Sequence, residues 1–184
     1  MPRGDRKLVR VERRLQSALV LVIGDAEPFE SVHREFAPTS VARGIPFHVT
    51  LLFPFAPRDE LTEPLLAHVR AFVATQAPLD FSLTRIADWP GVVYAVPEPD
   101  ERLVRCMRAL HARYPQWPPY EGVHDTIVPH ATLGTAADGE AIRAEIERRL
   151  APHLPRPCSF REVTLLEELE PDRWRERATF ALGG

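Results

Sequence analysis

Hydrophobic and polar positions follow a period of two in several short stretches of this chain and helical spacing in four others. Residues 17–23 (SALVLVI) are apolar after the first position and are closed by Gly24, the pattern of a strand buried on both faces. Residues 47–55 (FHVTLLFPF) put His48 and Thr50 on one face of a strand and Val49 and Leu51 on the other. Residues 79–86 (LDFSLTRI) and 173–182 (RWRERATFAL) alternate in the same way, and 92–96 and 159–166 (SFREVTLL) are two further strands. Helices are expected over 28–36, 58–75, 100–113 and 139–150. In the second of these Leu61, Leu65, Leu66, Val69, Phe72 and Val73 form the apolar stripe, with His68 on the helix surface. Residues 37–46 and the proline-rich 114–125 read as loops, and Asp88-Trp89-Pro90-Gly91 as a turn.

The order of elements repeats. Pro129-His130-Ala131-Thr132-Leu133 restates His48-Val49-Thr50-Leu51, with the second histidine 82 residues after the first. Each copy sits within strand, helix, His-x-Thr strand, helix, strand, over about residues 17–86 and 92–166. His48 precedes the next strand, at Leu79, by 31 residues, and His130 precedes Ser159 by 29. A duplicated unit is the natural inference. The expected fold is α+β and bilobal, two β-α-β-α-β units with mostly antiparallel sheets facing a central cleft. Residues 1–16 are expected to be a flexible basic arm, and 17–184 one two-lobed domain.

Composition narrows the functional classes. A chain of 184 residues buries roughly 70% of its unfolded surface and needs no staples. The longest apolar run, residues 18–23, is far short of a membrane span, and no apolar segment suited to a signal peptide follows the basic start. Cys106 and Cys158 lack metal-like spacing and read as reduced thiols of a cytoplasmic protein, expected to be a monomer. Net charge is −3, but residues 1–16 hold six basic and two acidic side chains, leaving −7 on the remainder. An acidic body argues against binding extended duplex nucleic acid and leaves a small nucleotide or an RNA end as partner.

With seven histidines and 15 Ser plus Thr in 184 residues, a single His-x-Ser/Thr has little weight, since roughly half a match arises by chance. Three occur: His48-Val49-Thr50, His124-Asp125-Thr126 and His130-Ala131-Thr132. The middle one, beside Gly122, suits a loop. The outer two share an apolar middle residue, a trailing Leu and their place in the repeat. Cleaving a phosphodiester needs a base for the nucleophile and an acid for the leaving oxygen, and two imidazoles near neutrality supply both. A threonine hydroxyl two residues along the strand, about 6–7 Å away, is placed to donate to a non-bridging oxygen. Two histidines are too few for a metal site, no cofactor is implied, and no G-x-S-x-G elbow exists for a serine hydrolase. Tyr114, Trp117 and Tyr120 are candidates to stack a base, Arg43 to reach a phosphate, and His124 to sit on the rim.

The paired HVTL and HATL on duplicated units resemble the two-histidine (2H) phosphoesterase superfamily, in particular its 2′-5′ RNA ligase-like and RNA 2′,3′-cyclic phosphodiesterase branch. The resemblance covers about residues 17–182. It implies metal-independent action on cyclic phosphates or 2′-5′ linkages, with His48 and His130 as the catalytic pair and Thr50 and Thr132 binding phosphate. It further implies His130 as the base that activates water and His48 as the acid. The expected activity is hydrolysis of a 2′,3′-cyclic phosphate to a 2′-phosphate. The alternatives are a 2′-5′ RNA ligase or phosphodiesterase, and a non-catalytic nucleotide-binding module on the same fold.

Overall fold

A computed structural model of the chain describes residues 13–122, 127–135 and 139–183. Most of the basic arm and the whole of His124-Asp125-Thr126 lie outside the described residues. Residues 13 and 14 make ion pairs with the body of the protein. Arg13 pairs at 2.7 Å with the fully buried Glu168, and Arg14 with Asp59 and Glu60. A carboxylate withdrawn from water requires such a partner, and this one draws the chain end onto the sheet.

Among the described residues eight strands form one sheet: β1 (Ser17–Val22), β2 (His48–Leu52), β3 (Leu79–Trp89), β4 (Val92–Glu98), β5 (Ala131–Thr135), β6 (Arg156–Phe160), β7 (Glu162–Glu170) and β8 (Arg173–Ala181). Their order across the curled sheet is β6-β3-β4-β5-β2-β1-β7-β8, and every pairing is antiparallel. Reversing that order exchanges β1 with β4, β2 with β5 and β3 with β7. The duplication is therefore a pseudo-twofold about the β2–β5 junction. The last strand of each unit crosses over to pair with the first strand of the other, β3 with β4 and β7 with β1.

Among the described residues there are five α-helices, α1 (Phe29–Phe36), α2 (Pro38–Ala42), α3 (Glu63–Val73), α4 (Glu101–Arg113) and α5 (Gly139–Leu150). α1 and α5 pack on the β3–β4–β5 half, α4 on β2 and α3 on β8. Leu19, Leu21, Val49, Leu51, Ala131 and Leu133 are all fully buried in the resulting core. The other face of β1 carries Ala18, Val20 and Val22, a small apolar cluster with Leu166, Phe53 and Trp174.

Several boundaries differ from the sequence-based expectation. The loop before His48 contains α2, begun by Pro38 at its first turn. The expected helix 58–75 is a 3₁₀ turn, Arg58–Glu60, followed by α3, whose N-cap Thr62 accepts from Leu65 N and whose first turn holds Pro64. The single strand expected over 159–166 is two, β6 and β7, with Arg161 between them. β3 continues through Trp89, so only Pro90 and Gly91 remain as the turn, with Gly91 at φ +86°.

Candidate active site

The two His-x-Thr strands meet at the middle of the sheet. β2 and β5 are joined at one register position, Val49 opposite Ala131. Antiparallel pairing about that point sets Thr50 against His130 and His48 against Thr132, on the face opposite the buried Val49, Leu51, Ala131 and Leu133. The four polar side chains thus form a square, each histidine across from the other motif's threonine. Strand-pair geometry puts the histidines on a diagonal of about 7–8 Å. All four are half-buried.

Prolines keep this junction short. The position that would face Leu51 is Pro129, which has no N–H to continue the ladder. The Leu51 carbonyl is met instead by a side chain from α4, His111, whose Nε2–H donates to it at 3.1 Å. The chain before His130 is not in strand, and the split between it and the end of β2 opens a cleft of about 580 Å³. Met107 and His111 line this cleft from α4, together with Phe53, Trp89, Tyr120 and Val128.

Both histidines are held by the same device. The Nδ1–H of His48 donates to the Pro46 carbonyl at 2.7 Å, and that of His130 to the Val128 carbonyl at 2.8 Å. Each bond reaches back two residues in its own motif. It fixes the neutral tautomer with Nε2 unprotonated and orients that nitrogen as the reactive atom. The Thr50 hydroxyl lies 3.1 Å from His48 Nε2, to which it donates, and the Tyr120 phenol is hydrogen-bonded to Thr50. Tyr120 is set in the left-handed region at φ 49°, with its N–H on the Phe53 carbonyl at 2.7 Å.

Burial pushes the His48 imidazole down to about 4; the nearby His33 and His130 push in the same direction, and the Pro46 carbonyl opposes them. Burial also lowers His130, against the Val128 carbonyl. His130 packs against a pair of rings in mutual contact, Trp89 edge-on at 4.7 Å and Tyr94 at 5.6 Å between centroids. Behind the square, the buried His33 of α1 donates from Nδ1 to the Thr132 carbonyl at 2.9 Å, tying helix to strand.

The structure brings His48, Thr50, His130, Thr132 and Tyr120 together. Two other candidates are engaged elsewhere. The indole of Trp117 packs edge-on to Phe55 at 5.0 Å and beside the buried Tyr114, half-buried against the core and outside the cleft lining. Arg43 pairs with Asp172 at 3.1 Å, while its carbonyl accepts from Trp174 N. Sequence reasoning missed Trp89, Tyr94 and His111. No local signal marks Trp89, because the alternation that starts at Leu79 slips at the register shift between Leu83 and Arg85 before it reaches that position.

Among relatives, a Geobacillus kaustophilus protein, GK0864, named provisionally as a phosphoesterase, is 27% identical over 148 residues, 76% of this chain and 80% of its own length. Among solved structures, a phosphoesterase superposes with a TM-score of 0.60 at 14% identity, covering 94% of this chain and all (100%) of its own. E. coli LigT complexed with 3′-AMP gives 0.58 at 13% identity, covering 94% and 100%. TT0787 of Thermus thermophilus gives 0.52 at 20% identity, covering 92% and 98%. These establish the fold. Residues 23–172 match the sequence profile of the 2′-5′ RNA ligase superfamily, and the chain belongs to that superfamily of two-histidine phosphoesterases.

Proposed function

We propose that the protein is a metal-independent phosphodiesterase that opens a 2′,3′-cyclic phosphate, on a nucleotide or RNA end, to the 2′-phosphate. The observation that carries this reading is the square of two imidazoles and two hydroxyls around one position, each imidazole presenting Nε2. His130 Nε2 takes a proton from water as its oxygen attacks phosphorus. The P–O3′ bond breaks, and His48 gives the proton on Nε2 to the departing O3′. Negative charge on the non-bridging oxygens meets the Thr50 and Thr132 hydroxyls. The cycle closes when the proton gained by His130 is exchanged for one on His48 through solvent.

The assignment of base and acid follows the family resemblance, and the environment of His48 sets a condition on it. Held at about 4 by burial, His48 must gain proton affinity when substrate binds. A phosphodiester anion within reach of Nε2 raises an imidazole by roughly 1–3 units, and a rise at the upper end of that range holds a proton on His48 near neutrality. The LigT structures complexed with 3′-AMP, ATP and NADP⁺ are consistent with a nucleotide ligand on this fold.

The test is hydrolysis of 2′,3′-cyclic AMP in EDTA. Turnover by the wild-type chain is expected to survive the chelator, and His48→Ala and His130→Ala are each expected to lower kcat by about 10²–10⁴-fold. Turnover abolished by EDTA, or undiminished in either variant, contradicts the mechanism. Binding of 2′-AMP without turnover in the wild type would mark an idle binding module instead.

A further inference from the structure

The cleft, lined by Thr50, His130 and Thr132 of the square but not by His48, has an unusual lining for a site that meets phosphate. Among the described residues lining it there is no Lys, Arg, Asp, Glu, Asn or Gln. Beyond Thr50, Thr132 and His130, the polar groups are His111 and Tyr120, and the remaining walls are apolar or aromatic. Two arginines on bordering elements are already paired. Arg43 is held by Asp172, and Arg85, four residues before Trp89 on the same face of β3, lies 3.6 Å from Glu98. The hydroxyls and imidazoles of the square can meet one phosphate. A second phosphate would find no cation among these lining residues, and residues 17–184 as a whole carry a net charge of −7.

Size and wall chemistry point the same way. A volume of about 580 Å³ is that of a pocket for one small organic ligand. Phe53, Trp89 and Met107 offer faces and edges to a flat or apolar body. His111 spends its Nε2–H on the Leu51 carbonyl, and among the described lining residues no forked side chain such as Asn, Gln or Arg is present to read a base edge.

Resting on the function proposed above, we infer that the substrate is a single-phosphate cyclic phosphodiester with a flat or apolar body of about mononucleotide size, held by apolar contact with little base selectivity, and not the end of an RNA chain. An oligonucleotide gains affinity by neutralising successive phosphates and releasing their counterions, and the described walls of this cleft supply no cation for them. Stacking contacts tolerate any base because every base has a π-face.

The experiment compares 2′,3′-cyclic AMP with a five-residue oligoadenylate ending in a 2′,3′-cyclic phosphate, using the full chain, from about 20 to about 200 mM KCl. The mononucleotide is expected to have kcat/KM at least about tenfold higher, with a log–log salt slope no steeper than about one counterion. The four 2′,3′-cyclic mononucleotides are expected within about tenfold of one another. Preference for the oligomer, or a slope of two or more counterions, overturns this inference and leaves the phosphodiesterase reading standing. A spread among the bases far beyond tenfold overturns the low base selectivity. Failure to turn over either substrate overturns the proposed function itself, and this inference with it.

Discussion

An imidazole whose Nδ1–H is bound to a carbonyl two residues earlier has one nitrogen left for chemistry, and both motifs use this arrangement. Tyr120 extends it on one side. By donating to Thr50 Oγ1, its phenol leaves the threonine proton for His48 Nε2 before substrate binds and for a phosphate oxygen afterwards. Tyr120→Phe is therefore expected to lower kcat about 3- to 10-fold, the effect of one neutral hydrogen bond, with a smaller change in KM. An unchanged kcat would show that Thr50 needs no such support. The four residues of the square were legible in the sequence because a strand's period of two and the duplication mark the same positions. Trp89, Tyr94 and His111 were not, since cross-strand neighbours and a helix contact place them beside His130 or at the cleft without any local signal. Trp117 is the converse case. A Trp in a proline-rich stretch looks exposed, while the aromatic cluster of Phe55 and Tyr114 that takes it in is visible only after folding.

The junction of β2 and β5 depends on how closely α1 and α5 approach β5. Gly134 makes that approach possible. A Cβ there would lie 3.0 Å from Phe36 Cβ and 3.2 Å from the Cδ1 atoms of both Ile142 and Ile146. Gly134→Ala is expected to destabilise the fold by about 1–3 kcal/mol through overpacking, read as a lower midpoint in urea with an unchanged m-value. A neutral or stabilising effect would mean that the helices shift freely over the strand. Gly44 plays a comparable part at the β8 edge, at φ +78° and with the Trp174 carbonyl oxygen only 2.5 Å from where a Cβ would stand. Among elements, the repeat predicted the helices and the central strands well. It did not predict that β3 and β7 change halves, because a crossover is decided by which open strand edge is available and leaves no mark on hydrophobic period. The division of 159–166 into β6 and β7 was hidden for a related reason, since no Gly or Pro marks the break at Arg161.

At the scale of the molecule, burying neutral histidines makes stability depend on pH in a defined direction. The folded state holds His48 at about 4 against an ordinary value of 6.5, so between these values the unfolded chain binds the extra proton. The stabilisation is complete above pH 6.5 and is lost as pH falls toward 4, in total on the order of 3 kcal/mol from this residue. His33, His111 and His130 are lowered as well, each chiefly by burial, and act in the same sense. His48→Gln is expected to lose about 2 kcal/mol less than the wild type between about pH 7 and pH 5 in urea titrations. An identical loss in both proteins would show that His48 titrates normally in the folded state.

The central claim is that two imidazoles, one from each half of the sheet, share one anion. NMR titration of the His48 and His130 rings with and without one equivalent of 2′-AMP tests it most directly. Both rings are expected to start below the ordinary histidine range and to rise together when the phosphate binds. A rise confined to one of them, or in neither, would contradict the shared site.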